Sequence, residues 1–155
     1  MIDVYAELKR IINALNENDV EYAVCGGWAM AIHGVPRATV DIDLLISEDS
    51  LDKVFEIAKQ NDYWLEGLPM SFHNGQIEIR RISKIDDETG FVLILDLLLV
   101  TPEIVDVWQN KSAETLEDGV VFVVSRDGLI KLKTLSGRTQ DKADIEKLEE
   151  IENEG

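Results

Sequence analysis

Cysteine, histidine and positive charge are what this chain has least of. One cysteine, Cys25, excludes an internal disulfide and any zinc site built on several thiolates, and its place in the apolar run Tyr22-Ala-Val-Cys25 reads as a small buried hydrophobe. His33 and His73 are the only imidazoles; surface or packing roles are the plainer reading, with a metal site shared with nearby acids as the alternative. Fifteen basic against 31 acidic residues give a formal net charge of −16, which excludes an extensive nonspecific nucleic-acid surface and leaves room only for a local groove holding a nucleotide or an RNA end. No run approaches the roughly 20 apolar residues that cross a bilayer. The start, Met1-Ile-Asp-Val-Tyr5, lacks a basic region followed by an apolar core. No membrane partner and a cytoplasmic location are therefore expected.

What is present suffices for a core: 45% of the 155 residues are hydrophobic, and one domain spanning 1–155 is expected. Ile2, Ala6, Leu8, Ile11, Ile12 and Leu15 recur at helical spacing, ending at Asn16-Glu-Asn-Asp19. A short strand over Tyr22 to Cys25 breaks at Gly26-Gly27, and a short helix follows from Trp28 to His33, with Gly34 as a left-handed cap. A second strand carries Asp41 and Asp43, and Ser47 or Asp49 can cap a helix over Leu51 to Gln60. Gln76 to Ile85 and Phe91 to Val100, joined by Asp86-Asp-Glu-Thr-Gly90, read as an antiparallel hairpin. Its second strand is apolar at every position but Asp96 and is expected to be covered on both faces. A short helix near Glu103 to Trp108, a strand over Val120 to Val124, and helices over Arg126 to Ser136 and Asp141 to Ile151 complete the chain. Much of the acidic excess lies in Glu146 to Glu154, a solvated helix end.

The informative residues are the acids inside apolar strands. Asp41 and Asp43, in Arg37-Ala-Thr-Val-Asp-Ile-Asp-Leu-Leu-Ile46, share one face of a strand at roughly 7 Å separation. An unpaired carboxylate there costs several kcal/mol, which a divalent metal on carboxylate oxygens relieves. Asp96 is a third acid where leucine is the default. If its strand neighbours that of Asp41, three carboxylates converge, and with two divalent ions they form a clamp for in-line phosphoryl or nucleotidyl transfer. Gly26-Gly27 at a strand-to-helix turn can cradle a phosphate or serve only as a turn. Arg37 suits a phosphate, or an ion pair with Asp41 or Asp43. Arg80 and Arg81 put one charge on each face of the hairpin strand, so at most one lines a cleft. Lys131 and Lys133 face different directions on one helix. Trp28, Trp64 and Trp108 fit apolar faces better than base stacking.

The strand ending in Gly26-Gly27, the short helix, the Arg37-x-Thr-x-Asp-x-Asp43 run and the later lone Asp96 together resemble the nucleotidyltransferase superfamily with the DNA polymerase beta-like fold. Within it the chain is most similar to small bacterial proteins related to lincosamide nucleotidyltransferases and to nucleotidyltransferase toxins of abortive-infection systems. Leu129-Ile-Lys-Leu-Lys133, followed by Arg138, Asp141 and Asp144, is similar to a helical motif of those toxins. The resemblance implies an α+β fold with a mixed, largely antiparallel central sheet flanked by helices and followed by C-terminal helices. It implies metal and catalytic roles for Asp41, Asp43 and Asp96, triphosphate binding at Gly26 and Gly27, and a nucleotide-binding or catalytic Lys133; Arg37 is expected to join them in holding the triphosphate. The implied reaction is Mg²⁺- or Mn²⁺-dependent transfer of a nucleoside monophosphate from an NTP, with ATP the expected one, to a hydroxyl on a small molecule, a tRNA end or a protein. The second glycine is often serine in this superfamily, and the Gly-Ser-Arg form of minimal antitoxins is absent. With 155 residues the acceptor is expected on the core, on a second copy of the chain or on a partner protein. A catalytically silent toxin–antitoxin type component is the competing reading, and a metal-dependent phosphodiesterase or nuclease a weaker third.

Overall fold

The computed structural model describes residues 2–117 and 119–154; Met1, Asp118 and Gly155 lie outside the described residues, and for 152–154 only the helical backbone is described. In chain order the elements are α1 Val4–Glu17, β1 Ala23–Cys25, α2 Gly26–Ile32, β2 Ile42–Ile46, α3 Leu51–Gln60, β3 Leu65–Glu66, β4 Met70–Phe72, β5 Ile77–Ile85, β6 Val92–Leu99, α4 Val105–Gln109, β7 Ser112–Leu116, β8 Gly119–Val123, α5 Arg126–Ser136 and α6 Thr139–Glu154. The strands form one sheet in the order β3-β5-β6-β2-β1-β8-β7, with β4 also paired to β5. Five pairings are antiparallel, while β1–β8 and β2–β6 are parallel. This is the mixed, largely antiparallel α+β sheet expected, with the hairpin β5–β6 turning at Asp86 to Gly90.

Alternation along the strands separates two faces. Ile42, Leu44 and Ile46 of β2 and Leu95, Leu97 and Leu99 of β6 share one face through direct register and are buried. Helix α1 reaches that face, buries Leu8, Ile11, Ile12 and Leu15, and is capped by Asp3, whose carboxylate accepts from Ala6 N–H at 3.1 Å. Its Glu7 meets Lys84 of β5 at 2.6 Å and accepts from Tyr63 Oη at 3.3 Å. The opposite face presents Cys25, Asp43, Asp96 and Arg81 in one row across β1, β2, β6 and β5. Helix α5, started by Ser125 accepting from Gly128 N–H at 3.0 Å and ended by Gly137 at φ +66°, packs on α6 beside this row.

Several sequence expectations need correction. β6 is not covered on both faces: Leu93, Leu95, Leu97 and Leu99 are buried, but Ile94, Asp96 and Leu98 are only partly so, because that face opens into a cleft. Helix α2 begins at Gly26 itself, not at Trp28. Asp41 precedes β2. Ser50 precedes α3 after a 3₁₀ turn, Glu48–Ser50, and gives no side-chain cap, in place of Ser47 or Asp49. In the acidic tail Glu146, Glu149 and Glu150 are exposed while Leu148 is buried. Among the described residues no helix is long and apolar enough to cross a membrane.

Candidate active site

The parallel β2–β6 register sets Asp43 directly beside Asp96, and Cys25 lies across from Asp43 on the other side. The row places two carboxylates on adjacent strands, with Asp41 close enough to couple to both. Burial, then repulsion from Asp96 and Asp41, pushes the Asp43 carboxyl up to about 7 against the pull of Arg138 and Lys133. Burial and Asp96 also raise Asp41, opposed by Arg81. Burial pushes the Cys25 thiol well up, so it stays a neutral SH. Among the described residues no hydrogen-bond donor reaches the carboxylate of Asp41 or Asp43, whereas Asp96 is held on both oxygens: Arg81 Nε donates to Oδ1 at 2.8 Å and Nη2 to Oδ2 at 3.0 Å.

Gly26 and Gly27 are required by this arrangement in a way the sequence did not suggest. Gly26 has φ +65°, and a Cβ there would stand 2.1 Å from Asp43 Oδ2; a Cβ on Gly27 would stand 2.1 Å from Thr39 Oγ1. The missing side chains make room for Asp43 and Thr39. Gly26 lines the cleft and Gly27 does not.

The wall facing the carboxylates comes from α5 and α6. Lys133 is buried, with Nζ donating to Asp144 Oδ2 at 2.9 Å and lying 3.6 Å from Asp141 Oδ1. Arg138 Nε and Nη2 donate to Asp141 at 2.9 and 3.2 Å. Arg37 also donates to Asp144, which accepts from Gln140 Nε2 at 3.1 Å. Burial alone would raise the pKa of Asp141 and Asp144, but the bonds from Arg138, and from Lys133, Arg37 and Gln140 respectively, hold both below the usual carboxylate range. Arg37 thus pairs with neither Asp41 nor Asp43, and it does not line the cleft.

The cleft between these walls has a volume of about 420 Å³. Asp43, Asp96, Arg81, Lys133, Arg138 and Asp141 form its polar half, and Met70, Phe72, Ile79, Leu98, Leu129 and Leu132 its apolar half. Asp41 stands outside the lining. A wider hollow of about 630 Å³ between α3 and Glu66 contains none of the candidate residues. Among the described residues no three acid, imidazole or thiolate groups stand as a ready-made metal site. The donor set nevertheless fits a divalent cation: two carboxylates without a donor lie beside a third that is neutralised by a guanidinium.

The weaker candidates divide. Arg80 pairs with Glu78 at 3.4 Å on the opposite face, so Arg81 is the one of the two in the cleft. Counting back from the hairpin turn, four steps from Ile85 and four on from Val92, would have placed Arg81 opposite Asp96. Lys131 leaves the site and bonds Asp106 at 2.8 Å. His33 Nε2 lies 2.7 Å from the Val124 carbonyl, while His73 lines the cleft, where the sequence favoured a surface or packing role over a metal site shared with the acids. Trp28 stacks on Tyr5, Lys111 lies over Trp108, Trp64 is exposed, and none of the three lines the cleft.

The mixed sheet with its flanking and closing helices matches solved nucleotidyltransferases in fold. A protein from Thermotoga maritima assigned as a nucleotidyltransferase superimposes with a TM-score of 0.62 at 21% identity, covering 100% of this chain and 97% of that one. ANT(2'')-Ia, solved in complex with adenylyl-2''-tobramycin, gives 0.61 at 16% identity over 94% and 92%. The solution structure of the same antibiotic-resistance factor gives 0.59 at 18% identity over 97% and 90%. No protein-family model and no curated protein matches the sequence. The chain is thus similar in fold to nucleotidyltransferases of nearly its own length.

Proposed function

We propose that this protein is a nucleotidyltransferase that moves a nucleoside monophosphate from an NTP to an acceptor hydroxyl and releases pyrophosphate. The observation that carries this is Asp43: a cleft-lining carboxylate without a donor, set by register beside Asp96 in a sheet of this fold. Asp41, Asp43 and Asp96 are the residues to hold Mg²⁺ or Mn²⁺. When bound, the cation supplies polarisation of a phosphoryl oxygen and a lowered pKa for the attacking hydroxyl. Lys133 and Arg138, on the opposite wall, attract the triphosphate; Gly26 keeps Asp43 in place, and Arg37 acts behind the wall by holding Asp144. Asp96 is the carboxylate we assign to take the acceptor hydroxyl proton at Oδ. The apolar half of the cleft gives the acceptor or base a surface on this chain itself. The adenylyl-2''-tobramycin bound to ANT(2'')-Ia supports ATP and a small-molecule acceptor ahead of a tRNA end or a protein.

A silent module acting through a partner protein is the second reading, favoured by one observation: Asp96 and Lys133 are already ion-paired within the chain. Calorimetric titration of the four NTPs with and without Mg²⁺, on wild type and the Asp41→Asn/Asp43→Asn double variant, separates them. We expect Mg²⁺-dependent binding that the double variant loses, followed by acceptor labelling from α-phosphate-labelled ATP. NTP turnover undiminished in the double variant refutes the proposal; no NTP binding under any condition favours the silent module.

A further inference from the structure

The cations of the cleft differ in what holds them. Lys133 and Arg138 are paired with Asp141 and Asp144 of α6, away from the β-sheet carboxylates. Arg81 is paired with Asp96, a member of the trio itself, and through both of its oxygens. While that fork is closed, Asp96 has no oxygen facing a cation that is not already engaged by a donor. Asp96 cannot easily leave, because β6 is hydrogen-bonded on both sides, to β5 and β2. Arg81 can: its side chain is 38% exposed against 15% for Asp96, and its stem rests beside Gly67, where no side chain blocks it.

Resting on the nucleotidyl-transfer reading above, we propose that Arg81 is an exchangeable counter-ion, which holds Asp96 in the nucleotide-free protein and passes to a phosphate oxygen of the nucleotide when a divalent cation takes the carboxylates. One guanidinium–carboxylate pair breaks and one guanidinium–phosphate pair forms, and the same planar fork suits both partners. A metal ion that arrives alone and takes Asp96 competes with Arg81 for the same oxygens and leaves the guanidinium without that partner. A metal ion arriving with a nucleotide supplies another, so the two ligands reinforce each other, and by linkage they do so equally in both directions. Arg81 is in this sense a positioning residue that couples the loading of metal ion and nucleotide.

Calorimetry with Mn²⁺ alone and with Mn²⁺ plus ATP, on wild type, Arg81→Met and Arg81→Lys, tests this; near-ultraviolet circular dichroism checks that each variant is folded. Arg81→Met should bind Mn²⁺ alone about tenfold more tightly than wild type, and the enhancement of Mn²⁺ affinity by ATP should fall about tenfold, within the usual range of coupling between sites. Arg81→Lys keeps the charge without the fork and should lie between the two. Mn²⁺ alone binding Arg81→Met no more tightly than wild type overturns the competition, and an ATP enhancement undiminished in Arg81→Met overturns the transfer to phosphate. Mn²⁺ binding to none of the proteins, with or without ATP, is a different failure: it removes the carboxylate reading beneath the proposal as well.

Discussion

Asp43 should destabilise the protein that carries it, and Asp43→Asn should show by how much. Its carboxyl is raised from 3.8 to about 7, first by burial and then by Asp96 and Asp41. The folded chain therefore holds this proton more tightly than the unfolded chain, and between about pH 4 and pH 7 each step up in pH weakens the fold. At roughly 1.4 kcal/mol per pH unit, a rise of about 3 units gives a ceiling of about 4 kcal/mol at pH 8, reduced to about 2 kcal/mol by relaxation and water entering the cleft. In EDTA at pH 8, Asp43→Asn should then melt about 4–8 °C above wild type. At pH 5 the difference should shrink to less than half, because wild-type Asp43 is protonated there. Adding Mg²⁺ at pH 8 should raise the wild-type melting temperature and leave the variant unmoved. Differential scanning calorimetry at the two pH values measures all of this. A variant that melts below wild type at pH 8 in EDTA refutes the account of Asp43 as a repelled carboxylate.

Two other substitutions probe the walls of the cleft. Gly26→Ala places a Cβ against Asp43 Oδ2 in a backbone at φ +65°, so it should cost about 1–3 kcal/mol from strain alone and also weaken Mn²⁺ binding; urea unfolding and calorimetry read the two effects. Lys133→Met leaves Asp141 and Asp144 short of a buried partner and should cost about 3–5 kcal/mol in urea, with part regained in the double variant Lys133→Met/Asp144→Asn. Asp141 and Asp144 have depressed folded values, so their contribution is present above about pH 4 and lost as pH falls through those values, opposite in sign to Asp43; Asp144→Asn should flatten the acid arm of a stability curve in guanidinium.

The parts of the fold legible in the sequence were those with local signals. The β5–β6 hairpin shows as two apolar runs around Asp86 to Gly90, and α1 and α5 show as helical periodicity with clear ends. β3, with two residues, β4, with three, and β7, whose Ser112-Ala-Glu-Thr-Leu116 buries no side chain fully, carry too little apolar alternation to be seen and exist through pairing with their neighbours. The acids announced themselves because aspartate is costly inside a leucine-rich strand. The long-range pairs did not: Arg37 finds Asp144 of α6 at a separation of 107 residues, and the charge of Arg37 says nothing about which acid it meets. The expectation of full cover on β6 failed for a related reason, since a leucine such as Leu98 looks the same beside a cleft and in a core.

Two of the ion pairs around the cleft differ sharply in the length of chain each closes. Arg81 and Asp96 are 15 residues apart in one hairpin, whereas Arg37 and Asp144 close a span of 107. Loop-closure entropy separates them by about 1.7 kcal/mol before any packing is counted. The short span lets Asp96 meet its guanidinium as the hairpin forms, so β6 need not carry a bare charge into the collapsing sheet. The pairs within α5 and α6, Lys133–Asp144 and Arg138–Asp141, are as local as the hairpin pair; it is the tie from Arg37 to α6 that closes the long span and carries the larger entropy cost. Hydrogen exchange faster in α6 than in β5 and β6 would show the long-range tie between Arg37 and α6 giving way while the strand carrying Asp96 stays paired.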